Sequence, residues 1–171
     1  MSILSELLER AKSLEAGLQT GEIARLAVLP YGERIVDLQR EQLAEGKAAG
    51  GNDLRPYYSE DLRAGGGYFK SSQSAANYAA WKETIDNPYQ AGERNADAPN
   101  LYINGKFYSE LGVEFGTERA RIVPLTPWAA GIVAKYGANS FGLQMRNWMR
   151  IFAEGAMGDL MNEIRRRLYG D

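Results

Sequence analysis

Residues 113–127 read Val113-Glu114-Phe115-Gly116-Thr117-Glu118-Arg119-Ala120-Arg121-Ile122-Val123-Pro124-Leu125-Thr126-Pro127. Two short runs, Val113–Phe115 and Arg121–Leu125, alternate apolar and polar side chains, the period of a half-buried strand. Gly116-Thr117-Glu118 supplies turn residues between them, so the stretch predicts an antiparallel hairpin. Thr126-Pro127 then reads as a helix start: a hydroxyl N-cap, followed by proline at the first helical position, where its missing N–H costs nothing. Tyr136-Gly137 closes that helix. The stretch decides between an all-helical chain and an α+β one, because helical spacing dominates on both sides of it.

Upstream, residues 2–19 carry Ile3, Leu4, Leu7, Leu8, Ala11, Leu14 and Leu18 at helical spacing. Ser2 is the expected N-cap, with Glu6 and Glu9 near the positive end of the helix dipole. A second helix is predicted from Tyr31 to Glu45, with Pro30 at its start and Gly46 as its stop. Ile35, Leu38, Gln42 and Leu43 lie near one of its faces. Ile23–Leu29 fits either a short buried helix or the lead-in to the second helix. Residues 46–70 are rich in glycine and tyrosine and read as a long loop, with Ala48–Asp53 turn-like. A helix follows over 72–85, capped by Ser72 or Ser74, with Tyr78 and Trp81 expected in the core. Asn87-Pro88 ends it, and Asn104-Gly105 after Leu101-Tyr102-Ile103 signals the turn of a hairpin or a tight loop.

Downstream, about Gln144–Tyr169 reads as the longest helix, with Met145, Trp148, Met149, Phe152, Ala156, Leu160, Ile164 and Leu168 as its apolar stripe. Gly155 and Gly158 weaken it by about 1 kcal/mol each relative to alanine. The expected fold is a helix-rich α+β single domain over residues 1–171, with a small antiparallel sheet and a long C-terminal helix. The 46–70 loop lies within it.

The 171 residues include no cysteine and no histidine. That excludes disulfides, thiolate nucleophiles, Cys-ligated metals, His-dependent triads and His-ligated metals. With 20 Lys and Arg against 22 Asp and Glu, the net charge is −2, so the broad basic field of a general nucleic-acid binder is missing. No apolar run approaches the ~18 residues of a membrane span. The N-terminus lacks a basic region and a continuous apolar stretch, so a signal peptide is not expected and a cytoplasmic site of synthesis is.

Several local patterns invite a chemical reading. Gly65-Gly66-Gly67-Tyr68-Phe69-Lys70-Ser71 approaches a phosphate-binding loop, but Phe69 stands where the second glycine is needed. Asn95–Asn100 offers oxygen ligands without the carboxylates and closing Glu of a calcium loop. Glu60/Asp61 and Glu110/Glu114 are the carboxylate pairs available to a hydrolase, for example a cell-wall hydrolase. Tyr57, Tyr58, Arg63, Tyr68, Phe69 and Lys70 crowd the loop. They fit a protein interface, where Tyr and Arg serve as anchors, better than a stacking platform for single-stranded nucleic acid, which the negative charge disfavours. Arg165, Arg166 and Arg167 are candidates for an acidic partner, or else a solvated helix end that suits its dipole. No catalytic, cofactor or metal residue is assigned.

The order of these segments resembles a family of small phage and prophage virion-morphogenesis proteins of the tail-completion, or head–tail connector, type. Leu38–Gly46 looks like that family's helix end, and Arg55–Ser59 like its Arg-Pro-Tyr-Tyr-Ser stretch. Asn100–Tyr108 looks like its aromatic segment after a glycine turn, although Asn104 stands where many members carry Thr. Tyr136-Gly137, Phe141-Gly142-Leu143 and the long amphipathic helix resemble its C-terminal end. The resemblance implies a non-enzymatic structural protein that forms oligomers, rings included, and contacts portal or tail-tube subunits. It implies residence in the host cytoplasm during assembly and then in the virion, and hydropathy and net charge add the expectation of no membrane and no nucleic-acid partner.

Overall fold

The computed structural model describes residues 3–56, 71–94, 98–99, 101–116, 119–137 and 140–170. The fold is helix-rich α+β. The elements are α1 (Ile3–Gln19), α2 (Glu22–Val28), α3 (Gly32–Ala44), α4 (Ser72–Glu83), α5 (Lys106–Ser109), β1 (Leu111–Phe115), β2 (Ala120–Pro124), α6 (Pro127–Tyr136), α7 (Met145–Ile151) and α8 (Met157–Tyr169). The strands β1 and β2 pair as a two-stranded antiparallel sheet. The Gly116 N–H donates to the Arg119 carbonyl at 2.9 Å where the hairpin turns.

The chain divides into two compact units interleaved in sequence. One comprises Met1–Ile35, Val113–Arg121 and Met145–Asp171, the other Val36–Gly112 and Ile122–Gln144. The boundaries fall within α3, within both strands and just before α7. They carry no linker composition, so neither unit announces itself in the sequence.

In the first unit, the ambiguous Ile23–Leu29 stretch forms α2, which buries Ile23 and Ala27 one helical turn apart. Leu29–Tyr31 is a single 3₁₀ turn, so Pro30 sits in that turn and not at the start of α3. The helix α8 lies against both α1 and α2. Its half-buried Leu160, Ile164 and Leu168 recur every four residues, as the apolar stripe requires. The C-terminal helical run from Met145 to Tyr169 is kinked within Phe152–Ala156. Gly155 sits in the kink at φ 144° and ψ −19°, a non-helical backbone conformation that side chains rarely permit. The Tyr31 hydroxyl fills the notch beside Gly155 and donates to Asp159 at 2.9 Å. Arg34 grips Glu154 through two nitrogens, at 2.8 to 3.1 Å.

In the second unit, α3 buries Leu38 and Leu43 together with two amides, Gln39 and Gln42. Gln39 Oε1 accepts from the Gly142 N–H at 2.8 Å. Gln42 Nε2 donates to the Gly142 carbonyl at 2.8 Å, and its Oε1 accepts from the Gln144 N–H at 2.9 Å. Two side chains thus bind the backbone of a segment about a hundred residues away as a neighbouring strand would. Phe141 and Leu143, on that segment, enter the core. Phe107 meets Phe141 edge-on at 6.1 Å, and Tyr108 packs among Tyr89 and Tyr102.

Local sequence explains the caps. Ser71, not Ser72 or Ser74, caps α4, and Ser74 completes a reciprocal capping box. Thr126 caps α6 with Pro127 behind it, as expected. Asn104-Gly105 turns into a helix and not a hairpin, with Gly105 at φ 79° leading into α5. Trp81 corrects the expected core: it is 47% exposed, while Lys82 is 1% exposed. The line Ala75, Ala79, Lys82 faces inward on α4, and Trp81 lies about 100° around the helix from Lys82. Tyr78 is half-buried.

Replacing Gln42 with leucine keeps the volume but strands the Gly142 carbonyl and the Gln144 N–H. At about 1–3 kcal/mol for each of the two unsatisfied groups, Gln42→Leu loses about 2–6 kcal/mol. A urea midpoint that falls at constant slope is the expected readout, and an unchanged midpoint refutes the clamp. Gly155→Ala forces a Cβ onto the Tyr31 hydroxyl and strains the backbone, so a melting point lowered by the equivalent of about 1–3 kcal/mol is expected. A melt equal to wild type would show that the notch carries no strain.

Candidate functional site

The first unit contains an apolar cleft of about 520 Å³. On α2, Ala24 and Val28 line the cleft together with the buried Ala27. Trp148 and Phe152 face it from the C-terminal run, one turn apart and stacked, with ring centroids 6.4 Å apart. Phe115 at the end of β1 and Leu160 on α8 complete the apolar wall. Arg25 and Arg119 also line it, and among the described lining residues none is a carboxylate. An apolar hollow with cations at its edge suits an apolar group that carries an acid nearby.

The same unit leaves large apolar side chains uncovered. Leu7, Leu8 and Leu18 on α1 are 50%, 55% and 53% exposed. Arg10, Leu14 and Gly17 form the inward side of α1, so the leucine stripe expected to face the core is turned largely to solvent. The close approach is at Gly17, where a Cβ would lie 2.7 Å from Arg167 Nη1. Met145, Met149, Met157 and Met161 add further exposed apolar surface along the C-terminal run. In the second unit Trp128 is half exposed, with the Lys106 ammonium 5.2 Å from its ring centre.

Of the sequence-predicted interface residues, Tyr57, Tyr58, Arg63, Tyr68, Phe69 and Lys70 lie outside the described residues, as do Glu60 and Asp61. Arg165 is exposed on the last turns of α8. Arg166 and Arg167 both hydrogen-bond Glu163, and Arg167 also reaches Glu22 of α2 at 3.1 Å. Arg167 therefore ties α8 to α2. Glu110 accepts a hydrogen bond from the Thr126 hydroxyl, and Glu114 is exposed on β1. Ser71, the last residue of the phosphate-loop-like run, acts as a helix cap. Among the described residues no three acidic side chains converge as a metal site, and no helix is long and apolar enough to cross a membrane.

Two titrating groups were not singled out in the sequence. Burial first, and Arg94 second, lowers the Lys82 amine to about 8. A depressed amine is a form of activated nucleophile, but Lys82 at 1% exposure is shut away from any substrate. The hydrogen bonds from Arg166 and then Arg167 hold the Glu163 carboxyl down to about 2. The Lys82 environment has no sequence signal, because it arises from burial by the fold, whereas Glu163 stands three and four residues before Arg166 and Arg167 on one helix, a spacing that sequence does display.

Comparison with protein-family models, with curated proteins and with solved structures finds no match.

The Glu163 pair has a pH signature. A depressed carboxylate stabilises the fold fully above its ordinary value of 4.5, and this is lost as pH falls through its folded value of about 2. Glu163→Gln is expected to lower the melting point at pH 7 and to shrink the loss of stability between pH 4.5 and 2. An acid limb identical to wild type would discard the ion-pair account.

Proposed function

We propose that this chain is a non-enzymatic structural protein of a phage or prophage, acting in tail completion or head–tail joining through protein–protein contacts. The observation that carries the reading is the uncovered apolar surface: half-exposed leucines on α1 and an open apolar cleft in the same unit. Exposed apolar groups in such quantity mark a surface that meets another protein. The order of the sequence segments, which resembles tail-completion proteins, supplies the class of partner. The chain associates with itself, ring formation included, and with portal or tail-tube subunits. It works in the host cytoplasm during assembly and then in the virion.

Light scattering across a concentration series is expected to give a rising mass, and electron microscopy closed oligomers. Co-sedimentation with purified portal or tail-tube protein is the second arm. A chain that stays monomeric and ignores both partners would defeat the proposal.

A further inference from the structure

The exposed stripe on α1 and the cleft in the same unit have complementary chemistry. Leu7, Leu8, Ala11 and Leu18 lie on one side of α1, about 16 Å from first to last at 1.5 Å per residue. This is the spacing by which a helix anchors itself in an apolar groove. Glu15 projects among these leucines, exposed, and accepts a hydrogen bond from Gln19 at 3.3 Å. The cleft offers the reverse: an apolar wall, Arg25 and Arg119, and no carboxylate among its described lining residues. The α1 residues are not part of that lining, so the stripe does not fill its own cleft.

We infer that the α1 stripe of one copy docks in the cleft of the next, with Glu15 facing Arg25 and Arg119. The inference rests on the self-associating reading above and names the surface that performs it. A second copy is the occupant because one chain carries both the acidic apolar insert and the cationic apolar receptor. Stripe and cleft are different surfaces, so the contact is head-to-tail. Such a contact repeats from copy to copy and closes into a ring, or continues as a filament, according to its rotation. A self-complementary pairing of α1 with α1 would stop at two copies and leave the cleft empty.

Two full-length variants separate these outcomes. Leu7→Ser with Leu18→Ser removes the insert, while Ala24→Glu with Arg119→Glu places acids in the receptor. All four positions are exposed, and circular dichroism melts verify that each variant folds. Each variant alone is expected to lose self-association by at least about tenfold in apparent Kd. Mixed together, they are expected to form a 1:1 dimer that grows no further, because each supplies the half the other lacks. Analytical ultracentrifugation reads all three samples. If both variants assemble like wild type, the inference falls and the proposed function stands. If the insert variant is monomeric, the receptor variant assembles and mixing restores nothing, α1 pairs with α1 and the inference falls. A wild-type chain that is monomeric but binds portal protein also overturns the inference while sparing the proposed function. A monomer that binds neither defeats both.

Discussion

The second unit depends on a pair of buried glutamines. A polar side chain on the buried face of a helix is costly unless its hydrogen bonds are met, and the low dielectric raises both that cost and the worth of each bond. Gln39 and Gln42 convert the cost into a constraint. The Gln42 amide both donates to and accepts from the backbone of Gly142–Gln144, while Gln39 accepts from Gly142 and its buried Nε2 has no partner among the described residues. The segment is thereby fixed in register, so that Phe141 and Leu143 both point into the core. Phe141 then meets Phe107, and Phe107 continues into the aromatic cluster at Tyr108. Two leucines at the glutamine positions would add burial but specify no register.

The first unit relies on a different constraint. Its helices are held by charged groups placed at points of close approach. Gly17 lets the Arg167 guanidinium come against α1, and Arg167 then reaches Glu22 and Glu163. At the kink, Gly155 leaves room for Tyr31, and Arg34 closes on Glu154. Trp148 and Phe152 on one side of the Gly155 kink share the cleft with Leu160 on the other.

What could be read from the residues was mostly local. The hairpin, the Thr126-Pro127 cap and the long amphipathic ends of the chain follow from spacing and backbone chemistry within a few residues. The glutamines were visible only in part: Gln42 lay on the apolar face of the predicted helix, but its partner is about a hundred residues away. Trp81 lies exposed and Lys82 buried because α4 is apolar on several sides, and nothing local says which side is covered. Arg167 looked like a solvated helix end because its partner on α2 is distant in sequence. The cleft had no local signature at all. It draws on α2, both strands and the two sides of the kinked C-terminal run.

The leucine stripe on α1 shows the same limit from the other side. Its period was evident, and an amphipathic helix in a small protein is ordinarily read as packing its apolar face on its own core. Here Arg10, Leu14 and Gly17 take the inward positions, because Gly17 permits the closest approach and α8 brings an arginine to meet it. Having committed that side to α8, the helix cannot bury the leucines as well. The unit that carries stripe and cleft has eleven cationic and eleven acidic side chains, so the −2 excess belongs to the other unit. A neutral surface adds little self-repulsion to the approach of a second copy. In the proposed contact, specificity then comes from where individual charges stand, because an acid among leucines set against two arginines in an apolar hollow would fix orientation as well as attraction.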